Sequence, residues 1–197
     1  MTTAKSVAGS LLIANLIVLI LHRHPDGDAI GSALALARAL PNKRFKIACA
    51  GTVAKVFTEA LGSFRLETVL SPSAGLLVVL DCPDLKRTGF ATQLVALAKR
   101  KKIIVIDHHQ LGDLAVLATD YYLDRRASST CEMVANIIDE LRLPISPTVA
   151  TALLLGLHSD TGGFQHPNTS SDALRLAARL VRQGADFAKI RALFSPR

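Results

Sequence analysis

Acidic and histidine side chains are concentrated in four short segments of the sequence, and three of these segments directly follow or end an apolar run. The first, HRHPDGDAIGS at residues 22–32, comes after the apolar stretch ANLIVLIL. The other three contribute Asp81, the adjacent residues Asp107, His108 and His109, and the pair His158 and Asp160. Carboxylates and imidazoles are the side chains that bind divalent cations and transfer protons, so these segments predict metal or acid–base chemistry.

Four apolar runs must position these segments: ANLIVLIL, FKIACA, GLLVVLDC and KIIVIDHH. They are short, partly β-branched and without polar alternation, which is typical of parallel strands buried on both faces. Helical patterns lie between them at 29–40, 53–61 and 90–101. Strands that alternate with helices predict an α/β fold with a doubly wound, mainly parallel five-stranded sheet flanked by helices.

The pattern changes after residue 124, where only helical patterns follow. Helices are predicted over 128–143, 147–158, 170–184 and 186–194. Ser129 and Glu132 have the spacing of a capping box at the first of these helices. The sequence therefore predicts a C-terminal helical cluster in the same domain, with residues 1–190 as the domain and 191–197 as the start of a linker or tail.

Ligands of open parallel sheets bind outside the carboxyl ends of the strands, and the polar segments fall at those ends. If the sheet closes as predicted, their side chains meet in one crevice. Several carboxylates in one crevice repel each other unless a cation compensates them. The number of donors exceeds what one ion needs. Two divalent ions about 4 Å apart that share one carboxylate fit better, since such a pair polarises a phosphoryl group and activates water to hydroxide.

Each segment alone also has an ordinary structural interpretation. Asp26-Gly27-Asp28 is compatible with a turn and a helix cap, because turns favour Asp and Gly. His158 on an apolar helix is more often a core histidine than a ligand. The occurrence of all four segments in order, three of them at strand ends, is what favours a functional site.

Composition favours an anionic partner in a reducing compartment. The formal net charge of +7 suits nucleic acid, a nucleotide or phosphate, although a general basic trend explains it equally well. Cys49, Cys82 and Cys131 are odd in number and far apart, so we expect no disulfide framework, no thiolate zinc site and a cytoplasmic location. The N-terminal run after Lys5 resembles a signal peptide but is short for a membrane span. We interpret it as a short helix before a strand near Asn15–Leu21.

The motifs H-x-x-P-D-G-D-A-I-G-S, a strand-end Asp, D-H-H and S-D-T-G-G-F, in this order, resemble those of the DHH phosphoesterase superfamily. The resemblance covers about residues 10–190. PDGDAIGS and DTGGFQHPNTS are similar to the bacterial nano-RNase/pAp phosphatase branch, whereas family II pyrophosphatases carry a PDTDS-like version. The resemblance implies a phosphoric ester hydrolase.

The resemblance also implies a role for each matching residue. Six metal ligands are implied: His22 and Asp26 for one ion, Asp28, His108 and Asp160 for the second, and Asp81 as the bridge between them. The implied cofactor is two divalent ions, Mn²⁺ first, with Mg²⁺, Co²⁺ and Fe²⁺ as alternatives. Asp107 would orient His108 through its ring N–H, and His109 would contact the phosphate as the other catalytic residue.

Three further residues lie where the family approaches its substrate. Ser32 is expected to bind substrate, and Gly31 to let the next helix approach the metals, with packing as the alternative for Gly31. Arg87 in DLKRTG stands where the family often has an arginine, so it is expected to support the phosphate, a surface charge being equally compatible. His24 and His158 depart from many relatives and could perturb the metals or add a ligand.

One departure concerns substrate binding. Relatives of this branch add a C-terminal substrate domain with a GGGH-type motif, and residues 1–197 contain no such stretch. We therefore expect a metal-dependent phosphoesterase acting on short oligoribonucleotides, dinucleotides or pAp. The alternatives are a metal- and nucleotide-binding module that needs a partner substrate domain, and an inorganic pyrophosphatase. A homodimer is also predicted, because the open cleft and the helix at 147–158 would leave apolar surface to cover.

Overall fold

The computed structural model describes residues 2–194 and contains one parallel β-sheet of six strands. The strands are β1 (Leu16–Ile20), β2 (Arg44–Ala48), β3 (Leu66–Glu67), β4 (Leu76–Leu80), β5 (Lys102–Asp107) and β6 (Asp120–Leu123). Their order is β3-β2-β1-β4-β5-β6, and every neighbouring pair is parallel. The predicted α/β class is confirmed. The sheet has six strands where five were expected. The four apolar runs form β1, β2, β4 and β5, whereas the short β3 and the partly polar β6 leave no apolar run in the sequence.

The central strands are apolar throughout because both of their faces are buried. In β1, Ile17 and Leu19 pack into the larger core, whereas Val18 and Ile20 pack into the smaller core on the opposite face. β4 and β5 alternate in the same way. A strand covered on both faces by helices needs no polar position, which explains the continuous apolar runs.

Nine α-helices are described within residues 2–194, together with a 3-10 turn at Asp113–Val116. They are α1 (Ala4–Ile13), α2 (Gly27–Ala39), α3 (Lys55–Leu61), α4 (Leu85–Thr88), α5 (Ala91–Ala98), α6 (Thr130–Glu140), α7 (Pro147–Asp160), α8 (Ser171–Arg182) and α9 (Phe187–Phe194). The N-terminal apolar run forms α1 and β1, as predicted. Residues 191–194, which were predicted to start a linker or tail, belong to α9 in the structure. Residues 195–197 of that predicted tail lie outside the described residues. In the described part of the chain, no helix is both long and apolar enough to cross a membrane.

Helices α2 and α7 pack against each other unusually closely. A Cβ atom at Gly31 would lie 2.4 Å from the carbonyl oxygen of Ala152, and one at Gly156 would lie 2.7 Å from Asp28 Oδ1. Only glycine fits such an approach. The packing interpretation of Gly31 therefore holds, and the contact places the start of α2 beside the end of α7.

Helix α7 is buried inside the chain. Its Val149, Leu153 and Leu155 are at most 1% exposed, and the helix contacts α2, α6, α8 and α9. The side chains from Val149 to Leu157 that form its apolar face are therefore covered by neighbouring helices, which removes the argument from this helix for a homodimer. The homodimer itself stays a prediction.

Candidate metal centre

The candidate site lies where the order of the strands reverses. β1 has β2 on one side and β4 on the other, so the chain leaves the carboxyl ends of β1 and β4 in opposite directions. Such a reversal opens a crevice in which α/β proteins bind ligands. His22 follows β1, Asp81 follows β4 and Asp107 ends β5, whereas Asp160 ends α7. The four sequence segments are thus brought together from four elements.

Six of the predicted site residues form two groups of ligand atoms. The open group consists of His22, Asp26 and Asp81, and the enclosed group consists of Asp28, His108 and Asp160. Within each group one ligand atom per residue lies within 4.8 Å of the others. We name them for Asp26, which is exposed, and for Asp28, which is fully buried.

Asp81 links the two groups through its two carboxylate oxygens. Its Oδ2 lies 3.9 Å from His22 Nε2, and its Oδ1 lies 3.6 Å from His108 Nε2. The backbone of Asp81 has φ 56°, a left-handed conformation that costs a residue other than glycine about 1–3 kcal/mol. Such strain at the end of a buried strand is typical of a side chain held for function.

The enclosed group is held by the first residues of α6. The backbone N–H groups of Thr130 and Cys131 donate to Asp28 Oδ2 at 2.5 Å and to Asp28 Oδ1 at 2.8 Å. The hydroxyl of Thr130 donates to Asp81 Oδ1 at 3.1 Å. A helix N-terminus favours a carboxylate because its first N–H groups have no partner within the helix. Thr130 therefore positions both Asp28 and Asp81.

Thr130 was not among the site residues predicted from the sequence, although the predicted helix cap at Ser129 lies next to it. The predicted cap is present, since Ser129 Oγ accepts from the N–H of Glu132 at 3.1 Å. Glu132 accepts from the N–H of Ser128, one residue earlier than in a capping box. The cap marks where α6 begins, but it does not reveal which distant carboxylate faces the helix end.

Asp26 caps helix α2 and also belongs to the open group. Its Oδ1 caps α2 by accepting from the N–H groups of Asp28 at 3.0 Å and Ala29 at 3.1 Å. Its exposed position leaves the second oxygen for a ligand. The helix-cap and the metal-ligand interpretations of this residue are therefore compatible.

Burial and mutual repulsion both disfavour the charged forms of the Asp28 and Asp81 carboxylates in this site, and the pKa values of both are raised accordingly. Burial, followed by the charge of Asp160, raises the pKa of Asp28 well above its ordinary value. Burial, followed by the charges of Asp28 and Asp26, does the same to the pKa of Asp81. Burial would lower the pKa of His108, but the neighbouring carboxylates of Asp160 and Asp81 outweigh it and raise this pKa. A divalent cation would compensate these carboxylates.

The donor atoms fit divalent cations. His108 Nε2 is buried without an aligned hydrogen-bond partner, although Asp160 Oδ2 lies 2.9 Å away. A nitrogen lone pair aimed at the same point as carboxylate oxygens is the arrangement that a metal site requires. Burial lowers the pKa of His22, which favours the neutral imidazole that binds a metal.

Asp107 was expected to contact His108, but in the structure it contacts His109 instead. Asp107 Oδ1 lies 2.7 Å from His109 Nδ1 and also accepts the backbone N–H of His109 at 3.1 Å. This hydrogen bond, more than any other influence, raises the pKa of His109. His109 Nδ1 also lies 3.5 Å from Asp81 Oδ1, but the bond to Asp107 occupies it. His109 is half exposed, so its ring reaches the crevice while Asp107 fixes its orientation.

Three other predicted residues lie outside the two groups. Ser32 is fully buried and its hydroxyl donates to the carbonyl of Ala29, so the expected contact with substrate is not supported. His158 packs its ring against Phe164, Phe187 and Phe194 and joins neither group, as expected for a core histidine. Arg87 lines a surface pocket together with His22, and this position is compatible with the predicted contact to a phosphate.

Comparisons with known proteins agree with this geometry. The model of the DHH family, N-terminal domain, matches residues 16–157. A bifunctional oligoribonuclease and PAP phosphatase NrnA from Thermus thermophilus is 31% identical over 193 residues, which are 94% of this chain and 54% of the relative. Its counterpart from Mycoplasma pneumoniae is 30% identical, over 88% of this chain and 55% of the relative. The chain thus spans about half the length of these curated relatives.

Two further similarities are relevant to metal and fold. A probable manganese-dependent inorganic pyrophosphatase from Deinococcus radiodurans is 27% identical, over 77% of this chain and 48% of the relative. A solved exopolyphosphatase-related protein from Bacteroides fragilis shares the fold with a TM-score of 0.82 at 24% identity, over 97% of this chain and 59% of its own. The four motifs, the two ligand groups and the family match agree: the chain belongs to the DHH family of phosphoesterases and carries its N-terminal domain.

Proposed function

We propose that the chain hydrolyses phosphoester bonds of short oligoribonucleotides, dinucleotides or pAp with the help of two divalent metal ions, with Mn²⁺ as the favoured metal. The observation that carries this proposal is the position of Asp81, which belongs to the open group through Oδ2 and places Oδ1 3.6 Å from His108 Nε2 of the enclosed group. A single ion does not need six ligands or a carboxylate that points one oxygen to each side. The matching NrnA relatives are named for both substrate types.

In this proposal His22 and Asp26 hold one ion, and Asp28, His108 and Asp160 hold the other, with Asp81 between them. When bound, such ions polarise phosphoryl oxygens and activate water for in-line attack. Asp107 keeps His109 Nδ1 protonated and oriented, so that Nε2 of the imidazolium faces the phosphate. The raised pKa of His109 favours that charged form, which stabilises negative charge on the leaving group.

The proposal is tested by Mn²⁺-dependent release of mononucleotides from a labelled RNA dinucleotide, with pAp in parallel, using this chain alone. We expect turnover that disappears in EDTA and in Asp81→Asn. Asparagine tolerates a left-handed backbone, so this variant removes the charge and keeps the fold. Asp172→Asn, on the exposed surface of α8, is the matched control. Full activity of Asp81→Asn would overturn the mechanism.

Two other outcomes correspond to the alternative functions. Metal and nucleotide binding without turnover, until a second polypeptide supplies a substrate domain, would identify a binding module. Phosphate release from pyrophosphate that exceeds release from pAp would favour a pyrophosphatase, which the similarity to the Deinococcus protein keeps in consideration.

A further inference from the structure

A groove lined by basic side chains begins at the open group. Its first part has a volume of about 290 Å³ and is lined by His22, Arg23, His24, Lys86 and Arg87. A second hollow of about 320 Å³ shares Arg23 and Lys86 with it and continues to the start of α5. We call these two hollows together the basic groove. Because His22 is both a wall of the groove and a member of the open group, the groove leads directly into the metal centre.

The basic groove has no acidic residue in its lining. The ion pairs found within residues 2–194 involve neither Arg23, Lys86 nor Arg87. Cationic side chains that crowd together without a carboxylate repel each other, so an anion that enters the groove relieves this repulsion. Arginine in particular offers a planar set of donors that matches a phosphate group.

The backbone fixes the groove relative to the metal centre. The N–H of Arg23 donates to the carbonyl of Arg87 at 2.8 Å, which ties the segment after β1 to α4. Gly89 has φ +74°, and a Cβ atom there would lie 2.9 Å from Cγ of Arg23. The stem of Arg23 therefore rests directly on the turn after α4. Two walls of the groove are held by tertiary contacts and are not formed by freely moving side chains.

From this arrangement we propose that the basic groove binds a second phosphate of the substrate, one that is not hydrolysed. The proposal rests on the proposed function, since a scissile phosphate must lie at the metal ligands beside His22. The ligand class is a nucleotide that carries another phosphate beyond the scissile one, such as a 5′-phosphorylated dinucleotide or a nucleoside bisphosphate. Arg23 and Lys86 would contribute to substrate selection without contacting the reacting atoms.

The decisive comparison uses two RNA dinucleotides that differ only in a 5′-phosphate. In the full chain, Arg23→Gln and Lys86→Gln should each raise KM for the phosphorylated dinucleotide about three- to tenfold, with kcat nearly unchanged. KM for the dinucleotide without the phosphate should stay within about twofold. Arg182→Gln on α8 removes the same charge from an exposed position outside the groove and should change neither KM. Equal effects on both dinucleotides, or none, would overturn the proposal.

A binding measurement separates this inference from the proposed function. In EDTA, which prevents turnover, titration with pAp should shift the backbone amide resonances of Arg23 and Gly89. In the double variant R23Q/K86Q the shift at Gly89 should disappear, whereas both shifts should persist in R182Q. Binding at the groove in a chain without any hydrolytic activity would refute the proposed function and keep the groove. Hydrolysis with no shift at these amides would do the reverse.

Discussion

The two ligand groups of the metal centre are built in different ways. In the enclosed group, Asp28 is fully buried and both of its oxygens accept backbone N–H groups from α6. In the open group, Asp26 is exposed and is held only through the cap of its own helix. Asp28 of the enclosed group is therefore positioned by tertiary contacts, whereas Asp26 of the open group is positioned by a local motif.

From this difference we expect the two groups to differ in ion binding and in access for substrate. A group surrounded by protein keeps its geometry and binds an ion tightly, as expected where hydrogen bonds orient the ligands. A group that borders solvent and the basic groove can exchange water for substrate. Asp81 belongs to the open group and also lies beside His108 of the enclosed group, so its removal should affect both groups.

The largest expected effect comes from that removal, set against the removal of a ligand from only one group. In Asp81→Asn we expect binding of Mn²⁺ to weaken in both groups and turnover to fall by roughly a thousandfold or more. In Asp26→Asn we expect weaker binding in the open group alone. Electron paramagnetic resonance of free Mn²⁺ during a titration counts the ions bound per chain. Equal stoichiometry in the two variants would refute the bridging role of Asp81.

An intermediate effect is expected at Thr130, which holds the enclosed group and Asp81 together. Thr130→Val keeps the shape and the backbone N–H but removes the hydroxyl that donates to Asp81. Loss of such an outer contact typically costs about 10- to 100-fold in metal affinity or activity. Thr130→Ser keeps the hydroxyl and should retain most of both. The role is refuted if the valine and serine variants bind Mn²⁺ equally well.

The smallest effect concerns the stability of the metal-free chain. The pKa of Asp28 is raised in the folded state, so the folded chain still holds a proton at a pH where the unfolded chain, with a pKa near 3.9, has lost it. Its contribution to stability is complete below that value and is lost as the pH rises toward the folded pKa. Relative to wild type, Asp28→Asn should therefore gain stability as the pH rises above about 4, by about 1.4 kcal/mol for each pH unit until the folded pKa is reached.

Urea unfolding in EDTA at several pH values measures this difference, with Asp172→Asn as the exposed control. The loss of an oxygen acceptor in asparagine lowers stability at every pH, so only the change with pH is informative. A free-energy difference that does not vary with pH would show that the charge of Asp28 is already compensated in the metal-free chain.

Local patterns in the sequence were sufficient for the class of fold and for naming most residues of the candidate site. The apolar runs predicted the main strands, since burial on both faces leaves no polar position along them. The caps at Ser129 and Asp26 marked where α6 and α2 begin, because the capping side chain lies within three residues of its donors. The strand-end positions of Asp81 and Asp107 placed them at one edge of a parallel sheet.

The tertiary structure decided which of these groups contact each other. Asp28 and Thr130 lie 102 residues apart in the sequence, so no local pattern could pair them. The same holds for the basic groove, where Arg23 and Lys86 meet only because the turn after β1 is tied to α4. Ser32 and Asp107 show the same limit, because their positions in the motifs were recognised from the sequence but their hydrogen-bond partners were not. Residue types and spacing determine what chemistry is available, and the packing of distant elements determines which side chains perform it.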